Sequence, residues 1–193
     1  MNLLRAFIAI EIPSPIQLAI EKHTARLRSV LDANLVRWTP VANIHLTLKF
    51  LGDVSPATIE LLTQMLMAEA GQHSCFDIQI AELGTFPNLR HPRVIWVGIR
   101  APSALEALQR GIEAATARMG YPAEERPFSP HLTIGRVKQT VGPAEAQKIR
   151  AALEGTKIGV LGSGKVEAVH LFKSDLKPSG AVYSRLFSAP LKS

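Results

Sequence analysis

The sequence predicts an α+β protein. We expect one two-lobed, pseudo-symmetric domain, each lobe a β-α-β-α-β-type unit, with a mainly antiparallel sheet lining a central cleft. Three observations lead there. Apolar residues alternate at period two in short runs and recur at helical spacing between them. That order of elements occurs twice, over about residues 3–83 and 93–176 of a single domain spanning 1–193. A triplet also repeats: His45-Leu46-Thr47 stands in "IHLTLKF" and His131-Leu132-Thr133 in "PHLTIGR", each in the second strand of its unit.

Residues 3–12 alternate as a strand, with Ala6, Ile8, Ile10 and Ile12 on the core face and Phe7, Ala9 and Glu11 on the other. "PSP" (13–15) offers Ser14 as N-cap and Pro15 as first helical residue, and Ile16, Ile20, Leu27 and Leu31 carry the helix to about residue 32. A loop with Trp38 and Pro40 leads into the His45 strand. Ser55-Pro56 caps a helix that buries Ile59, Leu62 and Leu66, and residues 75–83 close the first unit as a strand. Strand 93–99 opens the second unit. Leu105, Leu108, Ile112 and Met119 follow on a helix stopped by Gly120 and Pro122. The His131 strand, a helix from Gly142-Pro143 to about Leu153, and strands at 165–174 and 181–191 complete the chain, with "GVLGSGKVEAV" (159–169) read as a turn. The loops at 84–92 and 121–129, rich in Pro and Arg, suit cleft rims.

Apolar content of 47% and charged content of 20% describe a globular chain. A lone Cys75 excludes an internal disulfide framework and a cysteine zinc cluster, and points to a reducing, cytoplasmic setting. No apolar run approaches the roughly 20 residues of a membrane span, so no membrane association is expected. A formal charge of +6 favours a polyanionic partner such as nucleic acid. No association motif is visible, so a monomer is the default.

Composition predicts fewer than one His-x-Thr triplet by chance, so the repeat calls for a chemical reason. On a strand, His45 and Thr47 share a face while Leu46 and Leu48 anchor the other; His131 and Thr133 stand likewise against Leu132 and Ile134. Two imidazoles and two hydroxyls around one anion suit in-line displacement at a phosphodiester. One His takes a proton from the nucleophile, the other gives one to the leaving group, and the Thr hydroxyls bind the oxygens between them. Histidine titrates near neutrality and so can play either part. Spacing leaves the two roles interchangeable. No metal or cofactor is required: two His with Asp53 or Asp175 would form no recognised ligand motif.

At these residues the chain resembles the two-histidine phosphoesterases, whose signature is a pair of His-x-Thr-x motifs, here "HLTL" (45–48) and "HLTI" (131–134). The closer likeness is to the bacterial and archaeal RNA 2′,3′-cyclic phosphodiesterases, or 2′-5′ RNA ligase-like proteins. It extends through "RAFIAIEIP" (5–13), "HLTLKFLGDV" (45–54), "GTFPN" (84–88), "RVIWVGI" (93–99), "RPFSPHLTIGR" (126–136) and "LFKSDLKPSGAVYSRL" (171–186). The resemblance implies hydrolysis of RNA 2′,3′-cyclic phosphate ends to 2′-phosphates, tRNA fragments being one candidate source. His45 would be the proton donor to the departing 3′ oxygen and His131 the acceptor that activates water. Thr47, Thr133 and Arg136 would bind the phosphate. Run in reverse with a 5′-hydroxyl, the same site would form a 2′-5′ linkage as a secondary activity.

Strand parity sets Arg136 on the face opposite His131, unless a bulge near Gly135 re-aims it. Lys49 shares the parity of His45, so it adds cleft charge or sits exposed at the strand end. Phe7, Trp38 and Phe128 are candidates to stack a base, with core packing as the alternative. His23 belongs with the apolar face of its helix, and His73, His91 and His170 carry no assigned role. Two rivals are a non-catalytic RNA-end binding module and a phosphodiesterase of small cyclic nucleotides; the positive charge favours a polymer.

Overall fold

The computed structural model of the protein describes residues 3–178 and 180–193. The elements, in order, are β1 (Leu4–Glu11), α1 (Ser14–Val30), β2 (Val36–Trp38), β3 (His45–Val54), α2 (Pro56–Ala70), β4 (Phe76–Phe86), β5 (Val94–Arg100), α3 (Ser103–Arg118), β6 (His131–Val137), α4 (Pro143–Glu154), β7 (Val160–Val166), β8 (Ala168–Lys177) and β9 (Gly180–Pro190). One sheet runs β7-β4-β5-β6-β3-β1-β8-β9, every named pair antiparallel, with β2 on the edge of β6. The α+β class and the antiparallel sheet are as the periodicity predicts.

The composition of the lobes differs from the expectation. The order of elements suggests that 3–83 and 93–176 each fold on themselves, yet β4 pairs with β5 and β7, while β8 pairs with β1. Each half of the sheet is therefore finished by strands from the other stretch of chain. Hydrophobic alternation fixes which face a strand buries but not its neighbour, so the exchange leaves no trace in the periodicity.

Three smaller expectations also change. Residues 160–166 form β7 rather than a turn, because Gly162 and Gly164 let that strand lie against α1: a Cβ at either would sit 3.2–3.3 Å from Ile16. The loop before His45 contains the short strand β2. On α1 the fourth residue after Ile20, Thr24, takes the buried position and bonds the Ile20 carbonyl at 2.8 Å, leaving His23 exposed.

Residues of all four helices join Leu46, Leu48, Leu132 and Ile134 in one hydrophobic core, so the helices cover one face of the sheet. The opposite, open face holds a small separate cluster of Phe7, Ala9 and Phe172. Among the described residues, no helix is long and apolar enough to cross a membrane.

Lys49 departs furthest from expectation. Ile8 pairs with Lys49 and Ala9 with Thr47, so Leu48 is an extra residue, a β-bulge that reverses the alternation after it. Lys49 turns to the helical face and is only 5% exposed; its Nζ lies 2.8 Å from Glu113 Oε2 on α3 and donates to the Pro122 carbonyl. The same carboxylate accepts from the Glu124 amide at 3.3 Å. The pair thus ties β3 to the segment leading into the second motif. Replacing Lys49 by Met would strand the Glu113 carboxylate, and we expect a loss on the order of 3 kcal/mol in urea unfolding, largely recovered in the Lys49→Met/Glu113→Gln double variant. A loss below about 0.5 kcal/mol would equate it with an exposed surface pair.

Candidate active site

The two motif strands lie side by side. Leu46 pairs with Leu132 in antiparallel register, and both are buried in the core. Extending that register by one residue each way sets His45 opposite Thr133 and Thr47 opposite His131, all four on the open face and all half-buried. A pseudo-two-fold axis passes between the leucines. The face-to-face disposition expected from the duplicated triplet is thus the disposition of two neighbouring strands.

Each imidazole is clamped in the same way. His45 Nδ1 lies 2.8 Å from the Asn43 carbonyl, and His131 Nδ1 lies 2.7 Å from the Ser129 carbonyl. A carbonyl only accepts, so Nδ1 carries the proton in both rings and Nε2 is left to act: as a base when the ring is neutral, as an acid when it is protonated. Aromatic rings hold the imidazoles from the side. Phe7 stacks on His45 at 4.8 Å and Tyr183 meets it edge-on at 5.2 Å; Phe86 meets His131 edge-on at 4.9 Å.

Burial lowers the pKa of His45, offset in part by the Asn43 bond. Burial lowers that of His131 too, against the Ser129 bond, and the Arg136 guanidinium lowers it further. A cation near one ring only makes the two histidines electrostatically unequal.

Arg136 reaches that position through a second bulge. Ile95 pairs with Gly135 and Trp96 with Thr133, leaving Ile134 as the extra residue, the counterpart of Leu48. Gly135 then turns to the helical face, where a Cβ would come within 2.8 Å of Val36 Cγ1 and 3.0 Å of the Trp38 ring. Arg136 consequently shares the open face with His131 and Thr133. Simple alternation, which faces it backward, is corrected by the bulge at the motif's fourth residue.

Phe50 holds the position in the first motif that Arg136 holds in the second. It is 63% exposed, its ring 6.2 Å from Phe7. Phe7 itself is only 3% exposed and packs under His45 and against Phe172, so it supports the imidazole instead of offering a free face to a base. Trp38 is on the helical side, its Nε1 donating to the Leu31 carbonyl and its ring beneath the Arg28 guanidinium at 5.2 Å. Phe128 packs on the main core. His170 comes to the open face, beside Ala9 and one strand from Thr47, with Nδ1 2.9 Å from Ser188 Oγ and Nε2 3.9 Å from Glu11 Oε2; Arg185 closes the group by binding Glu11 at 2.9 Å. Phe50, Tyr183 and His170 were not legible as site residues, since bulge position and strand neighbours decide their place.

A cavity of about 610 Å³ is lined by Arg90, Arg93, Val137 and residues of α4, and by none of the four motif residues. Among the described residues, no three His, Cys, Asp or Glu side chains converge as a metal site.

Comparison with known proteins agrees with the motifs. The chain is 33% identical over 183 residues to the RNA 2′,3′-cyclic phosphodiesterase of Methanothermobacter thermautotrophicus, covering 93% of this chain and 95% of that one. The crystal structure of TT0787 of Thermus thermophilus superposes with a TM-score of 0.81 at 25% identity, over 98% of this chain and 99% of that one. E. coli LigT complexed with 3′-AMP superposes with a TM-score of 0.76 at 27% identity over the whole of both chains. The model of the 2′-5′ RNA ligase superfamily matches residues 13–177, and the chain, with its paired His-Leu-Thr motifs, belongs to that superfamily.

Proposed function

We propose that this protein hydrolyses terminal 2′,3′-cyclic phosphates of RNA to 2′-phosphomonoesters, by general acid–base catalysis without a metal. The observation that carries this reading is the matched clamp on Nδ1 of two imidazoles in adjacent, motif-bearing strands, each leaving Nε2 outside that bond. The relative from Methanothermobacter bears the name of that activity.

Water attacks phosphorus and gives its proton to His131 Nε2 as the new P–O bond forms. The P–O3′ bond breaks, and His45 Nε2 protonates the departing 3′ oxygen. The product is a 2′-phosphomonoester with a free 3′-hydroxyl, and proton exchange with solvent resets both rings. Thr47 and Thr133 donate to the non-bridging oxygens, and Arg136 balances their charge. The assignment of roles is supported by electrostatics: burial first, and the Arg136 guanidinium after it, lower the His131 pKa and favour the neutral ring that can accept a proton. With a 5′-hydroxyl as nucleophile in place of water, the same proton transfers form a 2′-5′ linkage, which makes ligation a secondary activity of this site.

Replacing either His45 or His131 by Ala should lower kcat roughly 10²–10⁴-fold on an oligoribonucleotide ending in a 2′,3′-cyclic phosphate, with the unfolding transition preserved. Excess chelator should leave the wild-type rate unchanged, and mapping of the product end should show the 2′-phosphate. Retained turnover in either variant would sink the mechanism.

The pH profile gives a second check. The acid limb of kcat/KM follows protonation of His131 and the alkaline limb follows deprotonation of His45. Both groups lie below the ordinary histidine value in the free protein, so the optimum should fall below about pH 6.5. Removing the cation in Arg136→Gln raises the His131 pKa, so its acid limb should move to higher pH while the amplitude falls. An acid limb that stays in place would assign the base to another group.

A further inference from the structure

β2 is only three residues long, yet it is fixed firmly. Val36, Arg37 and Trp38 pair with Val137, Arg136 and Gly135, and two further bonds flank them, Thr39 N to the Ile134 carbonyl at 2.9 Å and Lys138 N to the Leu35 carbonyl at 3.0 Å. Val36 is buried and Trp38 packs on the core, so Arg37 is the one side chain this strand presents to the open face. Its cross-strand partner there is Arg136.

Two like charges directly opposite one another on a sheet repel. Both guanidiniums are exposed, and among the described residues neither is paired with a carboxylate. A fold that rigidly holds two unneutralised arginines side by side, next to a phosphate-handling histidine, is arranged for more negative charge than one diester brings. Arg136 stands nearer to His131, whose titration it perturbs; Arg37 stands one strand further out.

We propose that Arg37, beside Arg136, forms a second anion subsite that takes a neighbouring backbone phosphate of the RNA strand while the terminal cyclic phosphate lies between the histidines. This rests on the cyclic phosphodiesterase reading above and adds to it that the substrate is a polynucleotide end. A nucleoside 2′,3′-cyclic monophosphate carries only the reacting phosphate and leaves the subsite empty. In the equivalent place the first lobe has Phe50 where the second has Arg136, so the extra phosphate belongs to the second lobe.

The test compares a nucleoside 2′,3′-cyclic monophosphate with a short oligoribonucleotide ending in the same cyclic nucleotide, using wild type, Arg37→Gln and Arg37→Lys. Arg37→Gln should lower kcat/KM for the oligonucleotide about tenfold more than for the mononucleotide. It should also reduce the slope of log affinity against log salt for the oligonucleotide by about 0.7, with Lys restoring the slope. Equal losses on both substrates, or none on either, would overturn the subsite. Binding of a 3′-phosphorylated oligoribonucleotide, followed by fluorescence anisotropy, reads Arg37 independently of turnover. If wild type fails to hydrolyse the cyclic end but Arg37→Gln still weakens this binding and flattens its salt slope, the catalytic reading falls and the subsite stands. Unchanged anisotropy in Arg37→Gln would remove the subsite whatever the turnover.

Discussion

The contact on which the site depends is the antiparallel meeting of Leu46 and Leu132. Both are sealed in the core, and truncating either to Ala would cost about 2–5 kcal/mol by the usual measure of a buried leucine. Because each leucine has a His before it and a Thr after it, one pairing registers all four polar groups on the opposite face. An antiparallel pair of identical triplets must place each His across from the other motif's Thr. The site's two-sidedness is therefore a consequence of strand register, with no loop required to fold over and complete it.

Symmetry alone would give two equal histidines, and the acid–base reaction proposed for them needs unequal ones. The difference enters one step beyond the triplets. A bulge at Leu48 and its counterpart at Ile134 turn the next residue to the helical face and the one after it to the open face. In the first lobe those residues are Lys49 and Phe50; in the second they are Gly135 and Arg136. The helical-face pair meets the segment that leads into the other motif: Lys49 holds Pro122, and Gly135 lies under Trp38. The open-face pair sets an exposed aromatic beside Phe7, which packs under His45, and a cation near His131. Ala9 and Trp96 repeat the contrast, for Ala9 leaves room where His170 comes in, while Trp96 lies over Gly84, whose Cβ would overlap its ring.

Much of this was legible in the residues. Alternation and helical spacing located most elements to within a few positions, and the duplicated triplet picked out the four polar groups that the sheet brings together. What escaped was most of what depends on a bulge or a strand partner. Lys49 has the parity of a site residue and is buried against Glu113, while Arg136 has the wrong parity and reaches the site face through a bulge of the kind that the adjacent Gly135 makes admissible. A bulge adds one residue to one strand and leaves the hydrophobic pattern nearly intact, since Leu48 and Ile134 are apolar either way. β2 was missed because three residues carry no periodicity, and Trp38 and Pro40 in that stretch suggest a loop.

The exchange of strands between the two halves of the sheet binds the site to the whole fold. β1 and β3 carry the first motif's support, but β8 and β9, from the end of the chain, supply Phe172 and Tyr183 that hold Phe7 and His45. The second motif likewise takes Phe86 from β4, which precedes β5 and β6 in the chain. Neither half of the sequence contains a complete imidazole setting, and neither half of the sheet closes without strands from both. Long-range pairing of this kind delays folding, since loop closure must precede the contacts that reward it. In return, the two histidines acquire their rigid surroundings together, so a half-assembled molecule does not hold both rings in place.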